Sequence, residues 1–70
     1  MLTLTQISTL LIIHSGAADY FGDDEHIVEV DIPALKSQGY IRYGQDGYGN
    51  MNYMTTEAGG RLCERIRSLT

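Results

Sequence analysis

A chain of 70 residues with one cysteine, two histidines and a formal charge of −4 at pH 7 is expected to form one small domain over 1–70. A core of this size buries about 60% of the surface that its unfolded chain exposes, so a partner subunit, most simply a homodimer, is the expected reinforcement. The lone Cys63 excludes an intrachain disulfide and suits a reducing cytoplasm; with two scattered histidines it makes a poor metal set, and no cofactor is expected.

The first segment, "MLTLTQISTLLIIHSG", lacks a basic leading region and an A-x-A-like cleavage site, and it is too short and too polar to span a bilayer. The expectation is a cytoplasmic protein with no membrane partner. Residues 3–15 predict an amphipathic helix, because Leu4, Ile7, Leu10, Leu11 and His14 recur on one face. Thr3 or Thr5 can cap its start, and Gly16 suits the left-handed position after its last turn. "GAADYFGD", residues 16–23, follows as a loop in which Tyr20 and Phe21 fold back over the core.

Residues 24–38, "DEHIVEVDIPALKSQ", admit two readings. Val28, Ile32 and Leu35 form a helical stripe with Asp23 and Asp24 at the positive end of the helix dipole. Pro33 opposes an uninterrupted helix, since an interior proline removes a hydrogen bond and costs roughly 3 kcal/mol. One helix bent at Pro33 is the preferred reading. The alternative is a short strand or turn at "IVEV", with Asp31 capping a second helix whose first turn holds Pro33. Gly39 ends the helix in either case.

Tyr40–Tyr43 and Met51–Thr55 are β-prone, and "GQDGYGN" between them is rich in residues that tolerate positive φ. This predicts a β-hairpin near 40–55 with a long, flexible tip. Thr56 then caps a last helix near 56–69, with Leu62, Ile66 and Leu69 on its apolar face. Gly59 and Gly60 weaken its first turn by about 1 kcal/mol each relative to alanine, which close approach of the hairpin would explain. The fold class is α+β, in the order helix, helix, hairpin, helix.

"ALKSQGYIRY" followed by "NYMTTEAGGRL" resembles the second half of winged-helix domains of the MarR/PadR-like type. Leu35, Gly39, Tyr40 and Ile41 match the way into the wing, and Tyr53, Thr56, Glu57 and Gly59 match the return from it. Thr55 departs from the leucine usual in that family. The whole chain resembles the very short winged-helix proteins of bacteriophages and prophages. That resemblance implies a regulator docking on a host or phage protein, such as an inhibitor of a host defence or transcription component. The alternative it implies is a DNA-binding transcription regulator with Arg42 on the wing.

Charge weighs against DNA. Residues 1–35 carry six carboxylates and no Lys or Arg, while residues 36–70 carry five cations against three carboxylates. The segment that would read bases, "DDEHIVEVDIPALK", has no Asn, Gln or Arg before Lys36. A surface of this sign repels phosphate, so nucleic acid is not the expected partner and Lys36 and Arg42 are its only candidates.

Two protein-binding surfaces follow. On the hairpin, Tyr43, Tyr48, Met51 and Tyr53 offer large contact area at small entropic cost; the plainer reading has Tyr43 and Tyr53 covering the core and Tyr48 solvated. On the second helix, Asp23, Asp24, Glu25 and Glu29 make an acidic face, or simply a solvated one. Arg61, Arg65 and Arg67 read as solubilising charge on the last helix. Nothing suggests an enzyme: Ser8, Ser15 and Ser37 lack an activating context, His14 reads as structural, His26 as solvated, and "GQDGYG" lacks the Lys-Ser/Thr of a phosphate loop.

Overall fold

The computed structural model describes residues 2–16 and 25–69. Its elements are α1 (Leu4–His14); α2, a helix with a π-helical stretch (Ile27–Asp31) followed by an α-helical one (Ile32–Ser37); β1 (Ile41–Gln45); β2 (Met51–Thr55); and α3 (Glu57–Ser68). Three helices and one antiparallel hairpin make a small α+β fold. The expected positions of Tyr20, Phe21, Asp23 and Asp24 lie outside the described residues.

Capping chemistry sets most boundaries. The Thr3 hydroxyl accepts the Gln6 N–H at 3.2 Å, and the Gln6 side chain accepts the Thr3 N–H at 3.1 Å, so α1 opens on a reciprocal box. Gly39, at φ 80°, closes α2. The Tyr40 N–H reaches back to the Leu35 carbonyl and the Gly39 N–H to that of Lys36, the two bonds of a Schellman motif. Thr56 caps α3 through the Gly59 N–H at 3.2 Å.

The two readings of 24–38 resolve as a helix that widens. "IVEV" is neither strand nor turn: residues 25–37 are helical throughout. Pro33 has no N–H, and in a regular α-helix its ring would crowd the Glu29 carbonyl four residues back. Instead the Ile32 N–H donates to the Ile27 carbonyl, five back, and Pro33 falls in the first turn of the α-helical stretch. A π turn absorbs an extra residue and rotates everything before it relative to a plain α-helix. The predicted stripe is therefore cut: Ile32 and Leu35 are buried, but Val28 is 45% exposed. Ile27 takes its place against the core, and Asp31 turns fully inward without capping anything.

The core is Leu10, Ile13, Ile32, Leu35, Ile41 and Cys63, ringed by partly buried residues including Ile12, Tyr40, Tyr53 and Leu62. Besides Val28, two predicted apolar-face positions are strongly exposed. Leu4 and Leu69 are exposed, the one in the overhanging first turn of α1 and the other at the C-cap of α3. Their places are taken by Thr9 and Ile13 on α1 and by Gly59 and Cys63 on α3.

Gly59 has a steric reason. A Cβ built there would stand 1.9 Å from the Tyr40 carbonyl oxygen, so the helix meets the chain leading into β1 backbone to backbone. The same carbonyl accepts the Thr56 N–H at 3.0 Å, and the Thr56 hydroxyl donates to the Gly39 carbonyl. Gly60 has no such neighbour: its nearest would be His14 Cε1 at 3.7 Å. Close approach thus accounts for one of the two glycines.

Candidate functional site

The hairpin register pairs Ile41 with Thr55, Tyr43 with Tyr53 and Gln45 with Met51, and alternation puts these on one face. At the base Ile41 is buried. Further out Tyr43 is 50% exposed and Met51 55%. Directly opposed, the Tyr43 and Tyr53 rings lie 4.8 Å apart at 59°, a tilted pair of the kind worth about 0.5–1.5 kcal/mol. Tyr53 is half-buried and packs against the core, so it braces Tyr43 from below.

The tip is tied rather than loose. One Asp46 carboxylate oxygen accepts the Tyr48 N–H at 2.8 Å and the Asn50 N–H at 3.0 Å. The backbone closes the same loop, with Asp46 N–H donating to the Asn50 carbonyl at 2.8 Å. An aspartate standing two and four residues before the amides it accepts was the sequence signal that glycine content masked. This frame holds out Tyr48, whose side chain is 93% exposed. Beside it lies a recess of about 340 Å³ between the hairpin and the end of α1, walled by Ile13, His14, Tyr53 and Met54.

His14 bridges three elements. Its Nδ1 is 3.2 Å from the Thr55 hydroxyl and its Nε2 is 3.4 Å from the Glu64 carboxylate. The Glu64 side chain is 69% exposed, so water screens its pull on the imidazole, and the arrangement works as a clasp between α1, β2 and α3.

Glu25, in the helical residues that lead into α2, and Glu29, in its first half, are exposed, with the exposed Val28 and Val30 between them and beside them. Lys36 is exposed on the last turn of α2. Arg42 is on the opposite face of the hairpin from Tyr43, alongside Gly44 and its cross-strand partner Met54. The two cations sit on separate elements, while the paired tyrosines share one. On α3, Arg61 is bonded to Glu57 one turn back, as expected for a solubilising pair.

One polar cluster escaped the sequence reading. Asp31 is fully buried between α1 and α2, where Thr5 Oγ1 and Thr9 Oγ1 each donate to it at 3.3 Å, and His26 Nε2 lies 3.5 Å away. Thr9 is buried with it. Asp31 stands four residues before the buried Leu35, and that ordinary helical spacing puts it on the inward face. Among the described residues, no group of three or more His, Cys, Asp or Glu could hold a metal ion, and no helix is long and apolar enough to cross a membrane. Compared with family models, curated proteins and solved structures, the chain matches none.

Proposed function

We propose that this chain is a small winged-helix regulator of the phage type, working in the cytoplasm of a bacterial host by docking on another protein. The hairpin is its wing, with Tyr43, Tyr48 and Met51 as the contact, and Glu25 and Glu29 give α2 an acidic second surface. The observation that carries this reading is Tyr48, held out at 93% exposure on a tip that Asp46 ties in place. A large side chain on an already ordered loop binds without a heavy ordering cost. The charge of α2 supports the same reading. Before Lys36, its outward residues include Glu25 and Glu29, which repel phosphate, and Val28 and Val30, which offer base edges no hydrogen bond.

The test compares wild type with Tyr48→Ala as immobilised bait in a bacterial lysate, followed by binding of the captured protein in purified form. A protein held by wild type and bound at least about tenfold more weakly by Tyr48→Ala, with the fold unchanged by circular dichroism, supports the proposal. Duplex DNA is the rival ligand. No duplex binding is expected at roughly 150 mM salt, where attraction beyond about 8 Å is screened. Micromolar or tighter binding lost on Arg42→Ala would replace the proposal with the DNA-binding one.

A further inference from the structure

The hairpin bonds only half of its backbone groups to itself. In an antiparallel pair, alternate residues bond across the ladder and those between them turn N–H and C=O outward. The Thr56 N–H bonds the Tyr40 carbonyl and the Asp46 N–H the Asn50 carbonyl, so Arg42–Met54 and Gly44–Asn52 are the bonded pairs between. Ile41, Tyr43 and Gln45 on β1, with Met51, Tyr53 and Thr55 on β2, face outward. The β2 edge is partly taken: the Asn52 side chain accepts the Tyr53 N–H at 3.0 Å, and α1 holds Thr55 through His14. On the β1 edge Ile41 is 3% exposed and closed off. Tyr43 and Gln45 are exposed, and nothing among the described residues bonds their backbone. The register runs without a bulge and β1 holds no proline, two common guards of such an edge.

Between those two residues stands Gly44, whose φ is not positive. A Cβ there would meet only the ends of two flexible side chains, Arg42 Nη1 at 2.8 Å and Met54 Cε at 3.6 Å. The fold of one chain thus gives little reason for a glycine that weakens the strand. Glycine inside a strand also marks where another backbone approaches closely. The charges beside it are open as well. Arg42 has no ion pair among the described residues. Asp46 gives one carboxylate oxygen to the tip amides and keeps the other unbonded.

We propose that β1 pairs antiparallel with β1 of a second copy of this chain, about a twofold axis at Gly44. That register sets Tyr43 against Gln45 of the partner copy and Gln45 against its Tyr43, so four backbone bonds form between the open groups. Gly44 meets its own counterpart, where the Cα atoms of a non-hydrogen-bonded pair stand about 4.5 Å apart. Arg42 falls opposite Asp46 of the partner copy, once on each side of the axis, as an opposite-charge cross-strand pair. Centring the axis on Tyr43 would need the covered Ile41 edge and would set each arginine against a glycine. The product is one four-stranded sheet with the two Tyr48 tips at opposite ends. It goes beyond the docking reading and does not depend on it.

The test reads oligomeric state together with amide exchange and needs no other protein. Sedimentation equilibrium over roughly 10 µM to 1 mM chain should show a monomer–dimer equilibrium, as suits an interface in the weak class below about 1,200 Å². Hydrogen exchange followed by NMR should slow at the Tyr43 and Gln45 amides in proportion to the dimer fraction, because in the monomer both face water. Arg42→Glu sets two carboxylates together, and Gln45→Pro removes an outward donor while leaving the hairpin's own ladder. Each should weaken the dimer at least about tenfold. Should a variant fail to fold, the exchange comparison on the unmodified protein still decides. A monomer throughout that range overturns the proposal. So does a dimer that neither variant weakens, or one whose Tyr43 and Gln45 amides exchange as fast as in the monomer.

Discussion

Two junctions between elements pair their polar groups in opposite ways. At the joint between the hairpin and α3, the Thr56 and Tyr40 backbones bond directly and Gly59 lets the helix lie against them. At the seam between α1 and α2, a whole carboxylate is buried and is met by hydroxyls 22 and 26 residues away in sequence. The joint uses groups that every residue carries, placed by a cap and a glycine. The seam uses side chains that must arrive in the right helical phase. A joint of the first kind resists substitution absolutely at one position. The second kind distributes its dependence over several partners.

The largest expected effect is therefore Gly59→Ala. Its Cβ would overlap a backbone oxygen that cannot rotate away, so α3 must shift off the hairpin. Overpacking of this sort costs about 3 kcal/mol or more, comparable to the whole stability of so small a domain. Urea denaturation should find the variant largely unfolded in water. A midpoint within error of wild type would mean that the joint is looser than its geometry.

The second effect tests the seam. Thr9→Val keeps the shape of a buried side chain but removes one of the donors to Asp31. Leaving a buried carboxylate short of a donor costs about 1–3 kcal/mol, so a drop in the urea midpoint smaller than that of Gly59→Ala is expected. If the two variants proved equal, the contrast between joint and seam would fail.

The same contrast explains what the sequence could say. A cap at Thr3 or Thr5, Gly16, Gly39, the Thr56 cap and the hairpin between 40 and 55 are local patterns, each read within a few residues. All of them match the structure. Val28, Leu4 and Leu69 were read by extending a helical period beyond what the chain obeys, and Asp31 entered only as a cap in the alternative reading of 24–38. Pro33 breaks that period through a π turn, and the overhanging ends of α1 and α3 leave it nothing to pack against. At the tip, glycine content masked the ordering power of Asp46. For the candidate surfaces, residue type left Tyr43 open between core and surface; the structure has it half exposed, and only the register separated Tyr53 as its support.

Gly60→Ala sharpens the joint from the other side. Its new methyl group would meet only His14 Cε1, at ordinary contact distance, and φ there is not positive. The substitution should stabilise α3 by up to about 1 kcal/mol through helix propensity alone. Adjacent glycines in one turn would then respond with opposite sign. A loss of stability instead would show that the His14 clasp leaves no slack against α3.

The smallest effect lies where α3 meets α1, and it concerns Cys63. The thiol is fully buried, with Sγ 3.9 Å from the Leu10 carbonyl. Its pKa is raised above the ordinary 9.0 chiefly by burial, then by the charge of Glu64, with Arg67 opposing. Raised in the folded state, the group favours folding fully while pH stays below the unfolded value. As pH climbs past it, the unfolded chain releases a proton that the folded chain retains, and stability falls. The informative quantity is the difference between wild type and Cys63→Ala. Wild type should lose stability more steeply than the variant from about pH 9 upward, by little more than the error of a denaturation curve. Thiol labelling at neutral pH gives the cleaner reading. Cys63 should react only when the molecule opens globally, and Thr9→Val should speed labelling by the factor set by its own loss of stability. Faster labelling than that would mean α1 lifts from α3 by itself, and the seam and the joint would then be separate units.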